Sequence, residues 1–192
     1  MPRSIAAPAV ALCLVLASPA LAQRPPGADT LIAQQRAAMA KLSFMDGVWR
    51  GPASTLLPSG EKHTVTQTER IGPFLDGAVK VIEGRGYDTK DNVTFNAFGI
   101  VSYDPAKKAH AMRSYTMGRA GDFALTPSDS GFVWEIPAGS MTIRYTAVIR
   151  GGKWREIGQR VVPGGDPVQF FEMNLVRVGD SSWPAGGAIP PR

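Results

Sequence analysis

Tyr145, Glu156 and Arg160 are the side chains whose types and spacing could share chemistry. They flank Gly151-Gly152, a dipeptide that favours a two-residue β-hairpin because glycine accepts the positive φ angles of such a turn. A hairpin there pairs Arg150 with Lys153, and hence Ile149 with Trp154, Ala147 with Glu156, Tyr145 with Gly158 and Ile143 with Arg160. Alternation then sets direction. Met141, Ile143, Tyr145, Ala147 and Ile149 form one face, against Thr142, Arg144, Thr146 and Arg150 on the other. If the first face points inward, Trp154, Glu156 and Arg160 follow it, and Gly158 leaves room opposite Tyr145.

A carboxylate and a guanidinium taken out of water must be paired, hydrated or bound to a polar ligand. Tyr145, Trp154, Glu156 and Arg160 are therefore the candidate ligand contacts. An alternative is that Glu156 and Arg160, ~13 Å apart along an extended strand, only satisfy neighbouring side chains. Tyr145 as acid and Glu156 as base would be enough for proton transfer, so an enzyme is also an open reading. Trp134, Phe95, Phe123 and Arg113 are weaker candidates, and the facing of Glu69 and Glu83 is open. His63 and His110 have no second ligand at useful spacing, so no metal site is expected and each is placed in a turn or at the surface. Gly84-Arg85-Gly86-Tyr87 reads as a strand end and Gly118 to Gly121 as a turn; neither opens a helix that could offer amides to phosphate.

Short strands must position these groups. Turn signals recur about every ten residues from Asp46 onward, among them Pro58-Ser59-Gly60, Gly72-Pro73, Asp104-Pro105 and Pro163 to Asp166. Between them lie runs rich in Val, Ile, Thr, Phe and Tyr, too short for helices. About ten strands are predicted: 48–57, 62–71, 78–87, 93–103, 110–117, 123–126, 132–136, 141–150, 153–161 and 168–178. Short turns make neighbours antiparallel, and a long meander removes its edges by closing into an up-and-down barrel. A sandwich would want a long crossover, and none is apparent. Pro52 removes a ladder donor in the first strand, so a bulge or bend is expected there.

Residues 1–22 read as an export signal: Arg3, an apolar run from Ile5 to Leu16, and Ala20-Leu21-Ala22 before a cleavage point. That run is shorter than a membrane span, so a soluble periplasmic or secreted protein is expected. A linker and helix occupy residues 23–45, the barrel 46–178 and a loose tail 179–192. The helix should be capped by Asp29 or Thr30, run to about Leu42 and cover one barrel end with Leu31, Met39 and Leu42. The one cysteine, Cys13, lies inside the signal, so disulfides, thiol catalysis and cysteine-held metal are excluded from the mature chain. Losing Arg3 takes one from the 21 basic residues and none from the 16 acidic, which leaves about +4. The charges are interspersed, and the basic pairs Lys107-Lys108 and Arg150/Lys153 fall at turns, so no nucleic-acid partner is expected.

Gly47-Val48-Trp49, together with Gly99-Ile100-Val101-Ser102-Tyr103-Asp104-Pro105 and Glu172-Met173-Asn174-Leu175-Val176-Arg177, resembles the calycins. The combination is similar to an uncharacterised family of bacterial exported lipocalin-like domains, over about residues 42–178. The resemblance implies a barrel with an inner cavity, closed at its floor by Trp49 with Arg177 stacked on the indole. Phe171, Met173, Leu175 and Arg177 do share one strand face. Some ten-stranded relatives hold haem through a histidine on a late strand. The last three strands here contain none, so no cofactor is expected. The sequence leaves three functions open: a binding barrel for a small hydrophobic or amphipathic molecule, an enzyme in the same cavity, or a structural or partner-binding domain with a packed interior. Oligomeric state is not legible.

Overall fold

The computed structural model describes residues 27–184; the expected export signal, most of the expected linker and the last eight residues lie outside them. Ten antiparallel strands close into one barrel, each beside its sequence neighbours, with the first beside the last. They are β1 (Gly47–Leu56), β2 (Lys62–Phe74), β3 (Val79–Tyr87), β4 (Val93–Asp104), β5 (Ala109–Thr116), β6 (Arg119–Ser128), β7 (Gly131–Ala138), β8 (Met141–Arg150), β9 (Lys153–Val161) and β10 (Val168–Gly179). The predicted up-and-down barrel is therefore present, and closure leaves no sheet edge to protect.

The boundaries that moved did so for local reasons. The stretch from Gly118 to Gly121 is mostly strand, because Met117 and Gly118 alone make the turn, both at positive φ. Thr116 and Arg119 pair directly across it, and β6 starts four residues before the predicted strand. β2 likewise runs through Gly72-Pro73 and turns at Leu75, Asp76 and Gly77. Pro52 causes no bulge: Arg50↔Val176 and Ala53↔Met173 keep one register on either side of it. Gly51 permits this, since a Cβ there would lie 2.1 Å from the Asn174 carbonyl oxygen of β10. The irregularity of β1 falls instead between Val48 and Trp49.

One end of the barrel is sealed. α1 (Ala28–Ala40) and a single 3₁₀ turn (Ser43–Met45) lie against it. The helix begins two or three residues earlier than expected: Gly27 precedes it at φ 80°, and neither Asp29 nor Thr30 is its cap. Its covering residues are Ala38 and Met39, continued by Leu42 and Met45, all buried. Leu31 is 51 % exposed and takes no part, because only the C-terminal half of the helix reaches the barrel. Beneath this lid, Trp49, Ile71, Val101, Ile149, Trp154 and Leu175 form the floor of the core.

Trp49 is 1 % exposed, donates from its indole Nε1 to the Met45 carbonyl at 2.9 Å, and meets the edge of Trp154 at 5.7 Å between ring centroids. Arg177 is its strand partner, but the guanidinium is not placed as expected. Its Nε and Nη2 donate to the Asp46 carbonyl at 3.3 Å, and Nη2 pairs with Asp180 at 2.5 Å. The register of β1 shifts between Val48 and Trp49, and Arg177 lies over Gly47 rather than the ring. Gly47 has φ 133°, and a Cβ on it would sit 2.8 Å from Arg177 Nε. The glycine of the Gly-x-Trp triplet therefore leaves space for the arginine that ties β10 to the chain entering β1. Beside it, Lys80 is 2 % exposed and ion-paired with Asp46.

The segment after β10 folds back on the outer wall as far as it is described. Trp183 lies under the Arg70 guanidinium, 4.4 Å from the ring centroid, and edge-on to Phe98 at 6.2 Å. No helix among the described residues is long and apolar enough to cross a membrane.

Candidate functional site

Above the floor the barrel is hollow. A cavity of about 520 Å³ opens at the end opposite α1, and its wall is largely apolar. The packed interior weighed from the sequence is therefore not what this chain builds.

The β8–β9 hairpin has the expected register throughout, from Arg150↔Lys153 to Ile143↔Arg160. Gly151 and Gly152 make its turn at φ 55° and 69°. Tyr145, Trp154 and Glu156 line the cavity. Arg160 shares their strand face, but β9 carries it toward the mouth, where its guanidinium lies 4.6 Å over the Phe170 ring, outside the lining. The room expected opposite Tyr145 is occupied by Tyr145 itself: a Cβ on Gly158 would be 2.8 Å from its ring. The other face of that ring stacks on Trp134, with centroids 4.3 Å apart and planes 9° from parallel.

Glu156 is buried and held by two indoles. Trp134 Nε1 donates to its Oε1 at 3.1 Å and Trp154 Nε1 to its Oε2 at 3.2 Å. Burial nevertheless dominates and raises its pKa to about 7, against the lowering effect of those donors. Burial also raises Tyr145 to about 12, assisted by the negative charge of Glu156. A phenol so reluctant to ionise is a poor acid near neutrality, which weakens the Tyr145/Glu156 pairing as catalytic machinery.

Sequence reasoning left open the residue that completes the site. Glu69 lines the cavity from β2, is buried, and accepts a hydrogen bond from Gln67 Nε2 at 2.7 Å. Its pKa is raised to about 8, mainly by burial and further by the charges of Glu156 and Glu83. Gly84 on the neighbouring strand makes space for it, since a Cβ there would lie 2.8 Å from Glu69 Oε1. A signal was available: Thr64, Thr66, Thr68 and Arg70 alternate with Val65, Gln67, Glu69 and Ile71. The second set faces inward because Trp49 pairs with Glu69. Its two polar members hid the apolar pattern.

Of the weaker candidates, Trp134 and Phe95 line the cavity, and Phe123 packs on Trp134 at 5.8 Å between centroids. Arg113 points outward to Asp122 at 2.6 Å, and Glu83 points outward to Arg70 and Arg85. His63 is exposed, as expected for a surface residue, and only His110 departs from that reading. His63 borders the cavity, whereas His110 is half-buried on Tyr103 with centroids 5.0 Å apart, and desolvation there lowers its pKa. No group of three or more His, Cys, Asp or Glu side chains among the described residues could hold a metal.

Because Glu156 touches two tryptophans, its ionisation should be visible. Raising the pH through about 7 is expected to shift the intrinsic tryptophan emission, and Glu156→Gln should abolish that transition while leaving the fold intact. An identical titration in the variant would place the ionising group elsewhere.

No protein-family model matches the sequence, and no curated protein matches it either. The fold is similar to that in the crystal structure of Rv2717c from M. tuberculosis, with a TM-score of 0.55 and 11 % sequence identity. The match covers 73 % of this chain and 96 % of that one. At that identity the likeness is one of fold.

Proposed function

We propose that this protein is an exported, lipocalin-like barrel that binds a small, partly apolar molecule. One observation carries the reading: an interior of about 520 Å³, open at one end, with an apolar wall and few convergent polar groups. Small-molecule sites usually have this size and composition. A barrel needing only stability would fill that space, since each unfilled methyl-sized void costs about 1 kcal/mol. The Gly47-Val48-Trp49 opening and the ten-strand order support the calycin relationship, and residues 1–22 support export.

The test is native mass spectrometry of the full chain expressed in its host. The expected result is a polypeptide beginning at Gln23 that carries a small-molecule adduct released on denaturation. Empty protein throughout, including after incubation with lipid and metabolite panels, would count decisively against the binding reading.

A second reading, an acid–base enzyme in the same cavity, draws on two carboxyls that titrate near neutrality, at about 7 and 8. It requires a turnover that Glu156→Gln or Glu69→Gln destroys. Activity retained in both variants would end it.

A further inference from the structure

The cavity's charge is one-sided. Glu69 and Glu156 are its two carboxyl groups, His63 lies in an exposed stretch at the mouth, and no lysine or arginine is among the described residues that line it. Arg160, on the same strand face as Glu156, is drawn off over Phe170 at the rim. A ligand presenting a carboxylate would meet two acidic groups in a low-dielectric space and no cation. A ligand presenting an ammonium would meet the reverse.

The walls suit the same ligand. Trp134 and Tyr145 form a stacked pair, and Phe171 stands edge-on to Tyr145 at 5.7 Å between centroids. These rings offer an apolar surface to the body of such a ligand. The acids are held in place. Gly84 makes room for the Glu69 carboxyl itself, and Gln67 donates to its Oε1. Opposite them, two indole N–H groups orient Glu156. The charge of Glu156 adds to the cost of ionising Glu69, and a cation placed between them offsets that cost.

Resting on the binding reading above, we propose that the ligand is an amphipathic organic amine, its ammonium held between Glu69 and Glu156 and its apolar body directed past Tyr145 toward Phe95 and Phe170 at the mouth. Gln67 and the two indoles position the carboxyls. A fatty acid, the mirror image in charge, would meet no lysine or arginine among the described lining residues.

Three probes with one tail separate head-group chemistry from tail burial: decylamine, decanol and decanoic acid, each titrated below its micelle concentration at neutral pH by isothermal calorimetry. The amine is expected to bind about tenfold or more tightly than the alcohol, and the acid most weakly. In the double variant Glu69→Gln with Glu156→Gln, the amine should fall to the affinity of the alcohol, while the alcohol holds. Both substitutions replace a buried carboxyl by a neutral group of its shape, and unchanged alcohol binding confirms an intact cavity. Equal affinities for all three probes, or a preference for the acid, overturn the amine assignment and leave the binding barrel standing. A preference for amine that survives in the double variant also overturns it. Failure of all three probes overturns it too, and the barrel reading is then decided by the adduct experiment alone.

Discussion

Trp49→Ala should lower the free energy of unfolding by about 3–5 kcal/mol, the range for emptying a large aromatic site in a core. The indole is almost fully enclosed at the floor, where it meets the edge of Trp154 and caps the Met45 carbonyl. Truncation removes that packing, strands the carbonyl and opens the floor toward the existing void above. Domains of this size are stable by only about 5–15 kcal/mol, so much of the margin would go. Trp49→Phe separates the terms: it keeps most of the packing and loses the hydrogen bond, for an expected cost of about 1–2 kcal/mol. Urea unfolding followed by far-ultraviolet circular dichroism measures both. A cost below about 1 kcal/mol for the alanine variant would show that the floor does not depend on this residue.

The second large effect has the opposite sign. Glu69→Gln should stabilise the empty protein by about 2–4 kcal/mol at pH 9 and leave it unchanged at pH 4. Both cavity carboxyls hold their protons more tightly in the folded barrel than in the unfolded chain, at about 8 for Glu69 and about 7 for Glu156 against an ordinary 4.5. The folded state therefore binds more protons between those limits. Stability is complete below about pH 4.5 as far as these groups are concerned, declines as pH rises and levels off above about 8. Surface carboxylates such as Glu83 and Glu172 are shifted the other way by arginine and amide partners, and their contribution is lost only as the pH falls into the acid range. Melting temperatures of wild type and Glu69→Gln across pH 4–9 test the assignment. Parallel curves would mean that Glu69 is hydrated or paired in the folded protein.

These two residues mark how far the chain could be read without its structure. The role of Trp49 at the floor was legible, because a Gly-x-Trp triplet opening a meander has a recognisable setting. The eighth and ninth strands were legible to the residue, because Gly151-Gly152 admits one tight turn and alternation does the rest. Glu69 was not, because a buried polar residue breaks the very pattern that reveals a buried face. Arg177 was expected to stack on the Trp49 indole; the two are strand partners, but the guanidinium goes to the Asp46 carbonyl and to Asp180, beside a register shift between Val48 and Trp49 that strand parity does not reveal. Leu31 misled for a related reason: helical periodicity identifies a face but not how much of it reaches a neighbour.

The sequence alone determined most of the local geometry: how many strands there are, where most of them turn, and which side chains of the β8–β9 hairpin share a face. Turn chemistry and two-residue alternation act over a few positions, so they can be read in one dimension. Tertiary structure decided what the faces enclose. Closure of β1 onto β10 brings Glu69 from the second strand into the same interior as Glu156 from the ninth, and their shared burial raises the pKa of both. Nothing in the spacing of residues 69 and 156 encodes that proximity, because it depends on the circumference of the finished barrel and on the volume its side chains leave unfilled.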